Sequence, residues 1–228
     1  MFARLVAYLD SIKARDPAPR SRWEILLYPG LLAVGMHRLA HWLFEAELWF
    51  CARFINHLAR LLTGIDIHPG AKIGRNLFID HGFVVIGETA EIGDNVTIYQ
   101  GATLGGTNPT NGMGGKRHPT LEDGVILSLG AAILGPVTVG AGARIGANAV
   151  VTKDVAPGAV MIGIPAKPMP VAAEDKQRFT PYGTPCCDNA DPAVARLEAM
   201  RCEVERLRGQ LSQLIEERAA EVRERDAG

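Results

Sequence analysis

Six histidines stand in this chain, and His68, His81 and His118 fall where short segments repeat. His81 follows Asp80 at a point where the repeat should continue with small residues, and Asp66 lies fifteen positions earlier, close to one turn of a coil with three six-residue sides. A carboxylate bonded to one imidazole nitrogen fixes the tautomer and leaves the other nitrogen as a base toward a hydroxyl. An imidazole of ordinary pKa, about 6.5, suits that task at neutral pH. The same spacing also fits two solvated side chains at a corner, so the residues alone leave both readings open. Arg117 and His118 end a turn-rich run that begins at Gly105, and together they offer a planar cationic fork and a second donor able to hold a carboxylate. Their plain alternative is an exposed basic loop tip.

The elements that position these groups are written in a period of six. An aliphatic residue recurs at Ile67, Ile73 and Ile79, slips by one position to Ile86, continues through Ile92, Ile98 and Leu104, and resumes at Leu121, Leu127, Ile133, Val139, Ile145 and Val151. Four places after most of them stands a small or β-branched residue, as in Ala71, Ala90, Ala102 and Ala131, and a Gly often follows directly, as in Ile73-Gly74. Each unit makes one side of a triangular coil, which buries its apolar residue only by stacking on the next coil. The pattern predicts a mainly β chain folded as a left-handed parallel β-helix over 65–170. A sandwich of alternating strands would show period two, with turn signals every 8–12 residues. The run from Gly105 to His118 interrupts the period and reads as a protruding loop, where repeat proteins often build binding surfaces.

Residues 1–64 carry helical spacing broken at Asp16-Pro17 and Tyr28-Pro29-Gly30, which predicts a helical cap. Phe50, Phe54, Leu58 and Leu61 form one stripe expected to cover the first coil. Residues 171–192 read as a linker. Within 193–225, Leu197, Met200, Val204, Leu207, Leu211 and Leu214 alternate spacings of three and four, the pattern of a coiled coil. Such a tail suits a homotrimer, the common assembly of left-handed β-helices.

The 228 residues carry a formal charge of −1, which gives no basic footprint for nucleic acid and no polybasic patch for a membrane. The apolar run Ile25 to Met36 is too short to span a bilayer. Cys51, Cys186, Cys187 and Cys202 form no CxxC pair, and the start reads as a polar helix rather than a signal peptide, so a reducing cytoplasm is expected.

The segments Asp66-Ile67-His68-Pro69, Ile79-Asp80-His81-Gly82, Val85-Ile86-Gly87-Glu88-Thr89-Ala90, Thr103-Leu104-Gly105-Gly106-Thr107 and Lys116-Arg117-His118-Pro119 resemble serine O-acetyltransferase of the hexapeptide-repeat acyltransferases. The resemblance spans about residues 16–168. It implies transfer of acetyl from acetyl-CoA to the hydroxyl of L-serine, giving O-acetyl-L-serine for cysteine biosynthesis. It makes His81 the general base, oriented by Asp66, with Arg117 and His118 on the serine carboxylate and Asp16 and Asp80 on its ammonium. It places acetyl-CoA between subunits along Gly106, Thr107, Ala131 and Ala147, requires no metal, and implies L-cysteine as an inhibitor on the same contacts.

The chain departs from the family's pattern at Ser128-Leu129, where the family typically carries Gly-Ala, and the loop before Arg117 is longer than in many relatives. Its helical region is short against members whose extra helices join trimers into a hexamer, so a trimer is expected. The chain ends Arg225-Asp226-Ala227-Gly228 rather than in the isoleucine that docks into O-acetylserine sulfhydrylase, so that complex is not expected. Three other readings compete. An acyltransferase for a sugar or antibiotic hydroxyl has less use for Arg117 beside Asp16 and Asp80. A zinc hydrase needs three histidines that the spacing does not group. A non-catalytic scaffold does not need this residue set.

Overall fold

The computed structural model describes residues 2–107, 115–169 and, toward the C-terminus, 200–210 other than 202, 205 and 209. The chain divides into two units, Met1–Pro185 and Cys186–Gly228. In the first, four helices precede the strands: α1 (Phe2–Lys13), α2 (Arg22–Ile25), α3 (Pro29–Glu45) and α4 (Trp49–Thr63). In the second, the described residues between Met200 and Gln210 are helical, and Met200, Val204 and Leu207 are exposed on it. Leu197, Leu211, Leu214 and the linker 171–192 lie outside the described residues.

The strands run in three parallel stacks, one for each side of the coil. The first stack holds β1 (Asp66–Ile67), β4 (Val85–Ile86), β7 (Thr103–Gly105), β10 (Ala132–Leu134) and β13 (Val150–Val151). The second holds β2 (Lys72–Ile73), β5 (Glu91–Ile92), β8 (Thr120–Leu121) and β11 (Thr138–Val139). The third holds β3 (Phe78–Ile79), β6 (Thr97–Ile98), β9 (Ile126–Leu127), β12 (Arg144–Ile145) and β14 (Val160–Ile162), closed by the antiparallel β15 (Lys167–Met169). Within a strand successive side chains alternate in and out, so one residue of the pair faces the interior. That residue is the aliphatic one of the six-residue period: Ile67 stacks on Ile86, Ile86 on Leu104, Leu104 on Ile133 and Ile133 on Val151. These residues and the small ones between them form one continuous buried core.

The slip at Ile86 now has a structural cause. Ile79 pairs with Ile98 and Val85 with Thr103, so the first coil uses Asp80 to Val84 to turn a corner that the second turns with Tyr99 to Ala102. The extra residue forces two ordinary L-residues, His81 at φ 61° and Phe83 at φ 60°, into the left-handed region. In the coils above, the left-handed turn falls on Gly101, Gly130 and Asn148, which adopt it at less cost. The bulged corner is fixed by the Phe83 N–H, which donates to Gly64 O at 2.9 Å just past the end of α4.

The stripe expected to cap the first coil faces outward instead. Phe50, Phe54 and Leu61 are 85%, 60% and 82% exposed, whereas α4 buries Ala52, Asn56, Ala59 and Thr63. Small side chains let the helix backbone approach the coil closely enough for Asn56 Nδ2 to donate to Ile67 O at 3.0 Å, and that approach selects the buried face.

The buried polar residue His37 lies on α3, its ring stacked on His41 at 5.6 Å, and its Nδ1 has no hydrogen-bond partner among the described residues. Burial pulls its pKa down from 6.5 to about 3, and the charges of His41 and Arg38 act in the same direction. Between those values the unfolded chain binds a proton that the folded one does not, so stability is full above pH 6.5 and falls with pH below it. The expected slope is up to about 1.4 kcal/mol per pH unit. Thermal midpoints measured from pH 7.5 to 5 are expected to drop more steeply for the parent protein than for His37→Phe, and equal slopes would refute this account.

Candidate active site

Two clusters of the expected residues form, one on each edge of strand β4. At the edge entering β4, Asp80 leaves β3 with its N–H on Ile98 O, and His81 Nε2 stands 3.7 Å from Asp80 Oδ1. Asp16 joins them from the helical cap. It is delivered there by Arg15, whose guanidinium donates to Asn76 O at 2.8 Å and to Val96 O and Thr97 Oγ1 at 3.1 Å, over the Phe78 ring. Asp16 Oδ1 then accepts the Ala18 N–H at 2.9 Å, and Oδ2 accepts the Tyr28 hydroxyl at 2.6 Å. Burial pushes the Asp80 carboxyl up, His81 opposes this, and the negative charge of Asp16 pushes it up again. The Tyr28 hydroxyl is raised by burial and by the same two carboxylates. Two carboxylates whose charges repel across one small space favour a cation between them.

Asp66 does not join this cluster. Its carboxylate accepts Asn56 Nδ2 at 3.0 Å and pairs with Arg60 Nη1 at 3.3 Å, and among the described residues it makes no hydrogen bond or ion pair with His81. One coil here spans nineteen positions, so the strand partner of Asp66 is Val85, and His81 sits in the corner before it.

At the edge leaving β4, the end of the long loop folds back onto Glu88 and Thr89. Arg117 Nη2 forms a close ion pair with Glu88 Oε2. The Arg117 and His118 backbone N–H groups donate to Thr89 Oγ1 at 2.9 and 3.0 Å. The His118 ring lies against Gly87, where a Cβ would overlap it. Partial burial and the neighbouring Arg117 charge both lower the pKa of His118, which favours the neutral ring.

The residues expected along acetyl-CoA divide between the same two edges. Gly106 and Thr107 are exposed at the start of the loop, and Thr107 Oγ1 lies against Gly135 of the next coil. Ala147 is exposed in the column of corners that begins at His81 and passes Gln100 and Leu129. Ala131 is different. It is 0% exposed within the core, so its methyl does not line a surface groove, because the small residue of each repeat points inward. No group of three metal-ligating side chains occurs among the described residues.

Comparison with known proteins decides the family. The chain is 45% identical over 215 residues to a serine acetyltransferase of Bacillus pumilus, covering 93% of this chain and 96% of that protein. Against a serine acetyltransferase of Mycobacterium tuberculosis it is 49% identical over 200 residues, with 84% and 86% covered. The chain belongs to the serine acetyltransferase family.

Among solved serine acetyltransferases, the Neisseria gonorrhoeae protein in complex with serine aligns with a TM-score of 0.69 at 38% identity, over 74% of this chain and 68% of that one. A complex with cysteine aligns at 0.70 and 36% identity, over 74% and 69%, and the Brucella abortus protein in complex with coenzyme A at 0.69 and 37%, over 73% and 66%. No protein-family model matches the chain.

Against this serine acetyltransferase scaffold, sequence reasoning missed Tyr28, Glu88, Thr89 and the clamp by Arg15. Tyr28 reads in the sequence only as part of a helix break, and nothing in the spacing shows that Glu88 and Thr89 meet a loop 28 or 29 positions away. Gly87→Ala tests the cationic edge. The added Cβ displaces the His118 ring, and kcat/KM for a carboxylate-bearing acceptor is expected to fall about 10²-fold while the thermal midpoint stays close to the parent's. Unchanged steady-state kinetics would show that the ring position does not matter.

Proposed function

We propose that the protein transfers the acetyl group of acetyl-CoA to the hydroxyl of L-serine, releasing O-acetyl-L-serine and CoA in the first step toward cysteine. The observation that supports this most is the pair of oppositely charged clusters on the two edges of one strand. An acceptor that is both an acid and an ammonium uses both, and few other hydroxyl acceptors do. Asp16 and Asp80 take the ammonium, while Arg117 and His118 take the carboxylate. His81 removes the hydroxyl proton as the oxygen attacks the thioester carbonyl carbon and returns it to the departing thiolate. Asp66, anchored by Asn56 and Arg60, is the carboxylate assigned to support the imidazolium. Backbone N–H groups at Gly105 or Gly106 would face the thioester oxygen.

The two clusters belong to neighbouring subunits in this reading. From Phe83 to Gly87 is four residues of extended chain, about 13 Å, whereas the nitrogen and carboxyl carbon of an amino acid are about 2.5 Å apart. The separation favours closing one substrate between the edges of two copies. A left-handed coil in a threefold assembly brings the His81 edge of one copy to the His118 edge of the next. The coenzyme arm then follows the seam, with Gly106 and Thr107 on one wall and Leu129 and Ala147 on the other. The exposed Met200, Val204 and Leu207 suit a coiled-coil tail. The expected compartment is the cytoplasm. L-Cysteine, which presents the same ammonium and carboxylate, competes for the serine contacts.

CoA release with L-serine is expected from the parent protein, and His81→Ala should reduce it about 10²–10⁴-fold. Undiminished release by the variant would remove His81 as the base. The shared site has its own test. His81→Ala and Arg117→Ala subunits, mixed after denaturation and refolded together, are expected to recover about a quarter of the parent's activity, because a quarter of the seams then carry both intact edges. Recovery of nothing would place each site within one subunit.

A further inference from the structure

We propose that Thr89 is the positioning residue that sets the tautomer of His118 and the place of Arg117, and so determines how tightly the carboxylate of the acceptor is held. The proposal rests on the reading of Arg117 and His118 as the carboxylate contacts. A threonine hydroxyl has one proton to donate and two lone pairs to accept with. Here all three are in use. The Arg117 and His118 backbone N–H groups take the lone pairs at 2.9 and 3.0 Å, and the hydroxyl proton goes to His118 Nδ1 at 3.0 Å.

The direction of that last bond follows from its neighbour. The Thr89 backbone N–H also points at His118 Nδ1, at 3.2 Å, and a backbone N–H can only donate. Nδ1 is therefore an acceptor and the ring proton sits on Nε2, which lies close to Gly87 and Gly106. One residue thus fixes the backbone at both cationic positions and keeps the imidazole N–H on Nε2. Glu88, next to Thr89, holds the Arg117 side chain while no carboxylate is present, so the fork is ordered before the acceptor arrives. Without the Thr89 hydroxyl, the two backbone donors lose their partner and His118 Nδ1 keeps only the longer bond from the Thr89 N–H at 3.2 Å, so the hold on the tautomer weakens.

Thr89→Val keeps the shape and removes the hydroxyl, whereas Thr89→Ser restores it. In the trimer, Thr89→Val is expected to raise KM for L-serine about tenfold, to leave KM for acetyl-CoA within twofold, and to be rescued by Thr89→Ser. Long-range ¹H–¹⁵N correlation spectra, with His118 assigned through His118→Gln, should show the Nε2–H tautomer alone in the parent and a mixture in Thr89→Val. An Nδ1–H or doubly protonated ring in the parent at pH 7.5 overturns the proposal even if the valine variant does not fold. A valine variant with unchanged serine KM and unchanged tautomer overturns it as well. If the parent releases no CoA with serine, the serine reading fails, and the tautomer measurement still decides the role of Thr89.

Discussion

Everything in this protein hangs on the stacking of one aliphatic residue per side of each coil. The strands are two or three residues long and no one of them could hold itself. Their backbone groups are satisfied only by the coil above and below, as when the Asp66 N–H donates to Val84 O and the Val85 N–H to Ala102 O, each within about 3 Å. Ile67, Ile86, Leu104, Ile133 and Val151 form a ladder in which each rung is buried by its neighbours, so stability is shared along the axis rather than owned by any strand. A rigid rod of this kind holds its corners in fixed positions, which suits a reaction that depends on placing two substrates together.

The residues proposed for the chemistry stand where the period breaks. The one-residue excess in the first coil lifts His81 and Phe83 into the left-handed region, a strain that a glycine corner such as Gly101 avoids. The insertion before β8 lets Arg117 and His118 reach back along the coil to Thr89. Regular repeats elsewhere present small residues inward and leave the corners plain. In this fold, function is written as departures from a repeat whose remaining members keep the departures in place.

Electrostatics divides the site in two. Burial and the charge of Asp16 raise the cost of ionising Asp80, so the edge before β4 is prepared for a cation. At the other edge Arg117 is paired with Glu88 until another carboxylate competes for it. Phe83 beside the first edge, and Leu61 and Phe54 on α4, are exposed large apolar side chains. Apolar groups of that size are ordinarily covered in the working form of a protein.

The sequence by itself determined the parallel coil and its number of sides, because a six-residue period of buried residues has no other way to be satisfied. It also marked His81, Asp80, Arg117 and His118, which stand at breaks in that period, and through its resemblance it named the chemistry. It misjudged α4, where large apolar residues were read as the packing face, because hydrophobicity does not tell which side of a helix can come close enough for Asn56 to bond Ile67. It misjudged Ala131 for a related reason, since which residue of a repeat points inward depends on where a coil closes. Only the tertiary structure decided that Tyr28 and Arg15 hold Asp16 and that Thr89 holds His118. Those bonds join residues far apart in the chain, and their geometry is set by the stacking of coils, which no local pattern of residues records.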